Sequence, residues 1–179
     1  MLYIAYCECE NTATDRHNKA CDLLNQMLLA AGISEPVKKA PSGKPYIEDD
    51  KVFISLSHSG SAVCCALSCD EKIDLSFLPD IIIREDKKSH VGVDIEKIVP
   101  NRDMKKIADR FFTADEQEIA KTDITCFYRV YTRKESLAKA TGRGIAELRR
   151  QPSTLARDGT YTYNIKLPTG DYILSVSLL

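Results

Sequence analysis

Hydrophobic and polar positions along the chain predict an alternation of strands and helices. Residues 1–9, MLYIAYCEC, are apolar and aromatic-rich and predict an opening β-strand. Ala20, Leu23, Leu24, Met27, Leu28 and Ala31 then recur at helical spacing, with Thr14 or Asp15 as the cap and Gly32 as the stop. Pro36 to Pro45 is loop-like, punctuated by Pro41, Ser42 and Gly43. Two strands follow, Val52–Leu56 and Ala62–Leu67, separated by SHSG. Residues 69–90 are irregular. Asp70, Glu71, Pro79 and the charge run Arg84–Lys88 flank a short apolar run at Ile81–Ile83, which predicts an inserted hairpin or excursion. VGVDIEKI, residues 91–98, predicts a buried strand through Val91, Val93, Ile95 and Ile98.

A helix is expected over 101–110, with Met104, Ile107 and Ala108 on one side. After Phe111 and Phe112, Thr113 and Glu116 form a capping box opening another helix. Phe127–Ala140 is the strongest helix of this half, ended by Gly142 and Gly144. Strands are expected at Tyr161–Leu167 and Tyr172–Leu178. The fold class is therefore α+β, mixed α/β. Two similar subdomains, 1–92 and 93–179, each set a helix against a small, mostly antiparallel sheet. The halves share no clear sequence repeat.

The chain has 179 residues, 44% of them hydrophobic, which fits an ordinary packed core. A net charge of −1 gives no global field toward nucleic acid or a membrane surface. The start has no positive n-region, and nothing approaches the ~20 apolar residues of a membrane span. Seven cysteines, an odd number without CxxC pairs, favour structural thiols in a reducing cytoplasm over disulfides or zinc.

Asp94 and Glu96 lie one residue apart on the VGVDIE strand, so they share a face. Paired carboxylates beside an apolar strand need a counter-charge. In FYRVYTRKESLAKATGRG, Tyr131, Glu135 and Lys139 line one helix face, with Lys134 beside it. Glu135 and Lys139 alone could be an ordinary solvated ion pair. Glu135 joined to Asp94 and Glu96 would instead make an all-oxygen site suited to Mg²⁺ or Mn²⁺, with Lys134 and Lys139 facing phosphate oxygens. His58, in SLSHSG at 55–60, sits where the strand is expected to break into a Ser/Gly turn. Serine hydroxyls, backbone N–H groups and the imidazole there could hold a phosphate. Lys44, before Pro45 in SGKP, is pinned in an extended conformation. Neither a P-loop nor a GxSxG elbow is present.

The order GKPYI, SLSHSG, VGVDIE, RFFTADE, YTRKESLAKATGRGI resembles the 4′-phosphopantetheinyl transferase superfamily over roughly residues 42–145. GKP and SHS precede DIE and KES, an order similar to the surfactin-synthetase-activating type, an intramolecular pseudo-dimer with one site between its halves. The resemblance implies transfer of phosphopantetheine from coenzyme A to a serine of an acyl or peptidyl carrier protein, with Mg²⁺, by a monomer. It implies Asp94, Glu96 and Glu135 as metal ligands. Glu135, or a water held by Glu96, would be the base. Lys139 would contact the pyrophosphate, Lys134 would assist, and Lys44, Ser57 and His58 would hold the adenosine and its 3′-phosphate. Glu116 falls on the family's acidic position after the FF pair. Tyr131 stands where the family often has Trp, and the basic segment before the first helix is missing, leaving Arg16 and Lys19 to substitute. Arg143, Arg149 and Arg150 cluster and are expected to offer a docking face to an acidic carrier. A non-catalytic coenzyme A or carrier-binding relative is the alternative, and an unrelated Mg²⁺-dependent phosphate enzyme a third reading.

Overall fold

The computed structural model describes residues 1–48, 50, 52–100 and 103–179, without the side chain of residue 145. The chain forms β1 (Leu2–Glu8), α1 (Ala13–Ala30), the two-residue strands β2 (Lys38–Lys39) and β3 (Pro45–Tyr46), β4 (Val52–Ser59), β5 (Ala62–Cys69), β6 (Ile81–Arg84) and β7 (Val91–Lys97). Then follow α2 (Met104–Phe111), α3 (Ala114–Ala120), α4 (Ile124–Thr141), a 3₁₀ turn (Ile145–Arg149), β8 (Thr160–Leu167) and β9 (Gly170–Leu178).

Two antiparallel sheets stack between two helices. The first has strand order β4-β5-β1-β6 and the second β7-β9-β8. Side-chain alternation assigns the faces. Tyr3, Ala5, Val63, Cys65 and Leu67 turn toward Leu23, Leu24, Met27 and Leu28 of α1. Leu2, Ile4, Cys64 and Ala66 turn the other way, onto Val91, Val93, Ile95, Leu174 and Val176 of the second sheet. β5 is therefore covered on both faces, which is why AVCCALSC is buried throughout. Adjacent Cys64 and Cys65 face opposite cores, and all seven cysteines are free thiols. The far face of the second sheet carries α4. Thr132 and Ser136 meet Ser175 and Ser177 of β9, hydroxyl to hydroxyl, at 2.8 Å each.

Several expected boundaries move. Thr12, not Thr14 or Asp15, caps α1, its hydroxyl accepting the Asp15 N–H. SHS is strand rather than turn: β4 runs through Ser59 and pairs with β5 to Ser59–Ala62, leaving only Gly60 and Ser61 to turn the chain. The excursion at 69–90 returns β6 to the outer edge of β1. The expected helix start at 101 and 102 lies outside the described residues, and the helix is described from Met104.

The two sheets are also joined edge to edge by side chains. Phe53, Ser55, Ser57 and Ser59 alternate onto the β7 side of β4. Ser55 accepts the Val93 N–H at 3.0 Å, Ser57 donates to Asp94 at 2.9 Å and Ser59 donates to Glu96 at 2.8 Å. Serines thus replace a backbone ladder and bring both acids against β4.

Gly92 fixes the height of α4 above β7. A Cβ there would lie 2.0 Å from the Ser136 carbonyl oxygen and 2.3 Å from the Ala140 nitrogen, backbone atoms that cannot rotate away. Gly92→Ala should force the helix off the strand and cost about 3 kcal/mol or more, at the upper end of overpacking effects. Urea unfolding measures this; unchanged stability would contradict the close packing.

Candidate functional site

A cavity of about 540 Å³ opens where β4, β7, α1 and α4 meet. Ser57, His58, Asp94, Glu96, Glu135, Lys139 and Tyr131 all line it. The structure thus brings together the three expected carboxylates, one expected lysine and the expected serine and histidine. Asp94 is only 5% exposed. Its Oδ1 accepts from Lys139 Nζ at 2.8 Å and from Ser57 Oγ at 2.9 Å, and Lys139 also donates to Ser57 Oγ at 2.7 Å. Its Oδ2 is buried with no hydrogen-bond partner. Burial alone would lower the Lys139 pKa; the charge and hydrogen bond of Asp94 outweigh it and hold the ammonium above the ordinary lysine value.

Glu135 is nearly buried. Burial raises its pKa, and the neighbouring Asp94 charge raises it further, against Lys139 and a hydrogen bond from Tyr131. A carboxylate with a raised pKa is a stronger base than an ordinary glutamate. His58 extends from the α1 face of β4 and is exposed to the cavity. Partial desolvation, then the Arg16 and Lys139 charges, lower its pKa and favour the neutral imidazole.

Other expected residues stand elsewhere. Lys134 is a correction: it does not face the cavity. Its ammonium is fully buried, 3.0 Å from the equally buried Glu116. Side chains at successive positions of α4 point about 100° apart. That rotation sends Glu135 to the cavity and Lys134 toward α3. Burial pushes the Glu116 pKa up, but the N–H groups of Thr113 and Thr154 and the Lys134 charge overcome it and hold the pKa below the usual value. Lys44 also misses the main cavity. It donates to the Ala140 carbonyl at 2.9 Å and lines a smaller neighbouring pocket. A lysine there satisfies a carbonyl that the end of α4 leaves open. Arg16 sits near His58 and reaches the Gly60 carbonyl at 3.4 Å, with its buried Nε unpartnered. Arg143, Arg149 and Arg150 are exposed, but Arg143 pairs with Glu147 and Arg149 donates to the Arg110 carbonyl.

The α1 wall was not anticipated. His17, Cys21 and Asn25 line the cavity beside Ala20 and Leu24, and Lys39 joins from β2. Their i, i+4, i+8 spacing was the available signal, but it names a stripe without saying what faces it.

An oxygen-only donor set with an unpartnered buried Asp94 oxygen fits a hard divalent cation. As the side chains lie, no group of three or more His, Cys, Asp or Glu among the described residues could hold a metal ion. Lys139 supplies the positive charge instead.

Residues 90–172 match the family model of the 4′-phosphopantetheinyl transferase superfamily. The 4′-phosphopantetheinyl transferase HetI of Nostoc sp. is 30% identical over 115 residues, covering 59% of this chain and 41% of that one. The 4′-phosphopantetheinyl transferase psf-1 of Bacillus pumilus is 32% identical over 134 residues, covering 71% and 48%. The 4′-phosphopantetheinyl transferase gsp of Aneurinibacillus migulanus is 30% identical over 113 residues, covering 60% and 38%. This chain spans half or less of the length of these curated relatives. These likenesses all point to the 4′-phosphopantetheinyl transferase superfamily.

The Lys134–Glu116 pair joins α4 to α3, and its pH dependence has a definite sign. A depressed carboxyl pKa contributes stability above the ordinary glutamate value of about 4.3. That stability is lost as pH falls through the depressed value. Lys134→Met should cost about 3–5 kcal/mol by stranding Glu116. Adding Glu116→Gln should recover part of this and flatten the acid limb. Chemical unfolding from pH 3 to 7 measures both; a single variant as stable as wild type would remove the pair's structural role.

Proposed function

We propose that this chain is a 4′-phosphopantetheinyl transferase of the surfactin-synthetase-activating type. It moves the phosphopantetheine arm of coenzyme A to a serine hydroxyl of an acyl or peptidyl carrier protein and releases adenosine 3′,5′-bisphosphate. The observation that carries this reading is the Asp94 carboxylate. One oxygen is shared by Lys139 and Ser57, the other is buried and open, and the cavity around it also receives Glu96, Glu135 and His58. The likeness to the named transferases supports it independently.

The roles follow from position. Asp94, Glu96 and Glu135 would hold Mg²⁺, which when bound neutralises charge on the coenzyme A pyrophosphate. Lys139 stabilises the negative charge of the departing bisphosphate. His58, assisted by Arg16 behind it, receives the adenosine 3′-phosphate end. Glu135, or a water held by Glu96, takes the proton of the carrier serine as that oxygen attacks the β-phosphorus of coenzyme A. The P–O bond to the bisphosphate breaks as the serine–phosphorus bond forms. Lys44 supports the site by anchoring the end of α4. The exposed Arg149 and Arg150 supply positive charge for an acidic carrier surface. The site between residues 1–92 and 93–179 works within one chain, as a monomer of pseudo-dimeric design. Free thiols throughout suit a cytoplasmic setting. Among the described residues no helix is long and apolar enough to cross a membrane.

The test is the intact mass of an apo carrier protein after incubation with this protein, coenzyme A and Mg²⁺. A gain of one phosphopantetheine arm is expected, abolished by EDTA and reduced roughly 10²-fold or more in rate by Asp94→Ala. No gain across several carrier classes, with coenzyme A binding intact, would leave a binding relative without transfer activity.

A further inference from the structure

We propose that Lys139 is a resident counter-cation of the acidic site, displaced from Asp94 when a divalent cation arrives and drawn away by the coenzyme A pyrophosphate. This rests on the metal reading above. The ammonium lies 2.8 Å from Asp94 Oδ1 and 2.7 Å from Ser57 Oγ. Its side chain is 31% exposed while that of Asp94 is 7% exposed, so the lysine is the partner able to move. Its flexible four-carbon stem and rotating donors can exchange one anion for another within the cavity. Asp94 sits on β7, clamped by Ser57, and stays in place.

The buried, unpartnered Asp94 Oδ2 marks where a second cation meets this carboxylate. An ammonium on Oδ1 and a divalent ion on Oδ2 would stand within a few ångströms in a largely desolvated pocket, where like charges repel strongly. The metal alone must therefore push Lys139 off. A pyrophosphate in the same cavity gives the lysine an alternative anion, removes that cost and strengthens metal binding. By linkage, the metal strengthens coenzyme A binding by the same factor. The lysine thus makes the metal site weak until substrate is present.

The experiment follows Mg²⁺ alone, then Mg²⁺ with coenzyme A. The Lys139 NH₃⁺ resonance of ¹⁵N-labelled protein is assigned by its loss in Lys139→Gln, and Mg²⁺ affinities are taken by calorimetry for wild type, Lys139→Gln and Lys139→Met. Saturation with Mg²⁺ alone should move the Lys139 resonance. Both variants should bind Mg²⁺ without coenzyme A roughly fivefold to a hundredfold more tightly than wild type, the range of an ordinary coupling between sites. The enhancement by coenzyme A should shrink in both. Two variants of different polarity guard against a packing defect in either. If Mg²⁺ binds in an Asp94-dependent way while the Lys139 resonance stays still and the variants match wild type, the displacement is wrong and the metal reading stands. If neither wild type nor the variants bind Mg²⁺, with or without coenzyme A, the metal reading falls and takes this inference with it.

Discussion

The contact on which the site depends is the hydroxyl of Ser57 against the carboxylate of Asp94. It joins the edge of one sheet to the edge of the other, and Lys139 of α4 closes the triangle. Ser55 and Ser59 repeat the join above and below, on Val93 and Glu96. A backbone ladder would also hold two strands together, but it would leave the acids unconstrained by β4. Side-chain bonds at alternate positions do both, because a strand offers one residue in two to its neighbour. Placing the acids on β7 therefore gives them a rigid base and fixed partners.

Two lysines of one helix illustrate how burial separates structure from chemistry. Lys134 is sealed against Glu116, with Thr113 and Thr154 completing the carboxylate's bonds. Such a pair has little freedom to change partner. Lys139, five residues on, faces a cavity and holds a carboxylate with one oxygen still open. Its charge balances Asp94 without exhausting it. Gly92 lets α4 come close enough to β7 for this contact to form.

Much of this was readable in the sequence. Helical periodicity placed α1 and α4, and strand alternation put Asp94 and Glu96 on one face. The spacing of Tyr131, Glu135 and Lys139 gave the facing stripe of α4. What sequence pattern left open was partnership. Lys134 and Lys139 look alike in KESLAK; only the packing of α3 against α4 decides that one is structural. Lys44 looked aimed at a ligand, yet the end of α4 takes it. SHSG has turn composition, but pairing with β5 keeps it extended through Ser59, which is what carries Ser57 to Asp94. The α1 wall of His17, Cys21 and Asn25 was missed because an exposed polar stripe carries no sign of the cavity beside it.

The central claim is that substrate engages both sheets at once, through β4 on one side and β7 with α4 on the other. Backbone hydrogen exchange, followed by mass spectrometry before and after coenzyme A and Mg²⁺ are added, tests it directly. The account predicts slowed exchange in peptides covering residues 52–59 and also in those covering 131–141. Slowing confined to one of these segments would contradict a site shared between the halves.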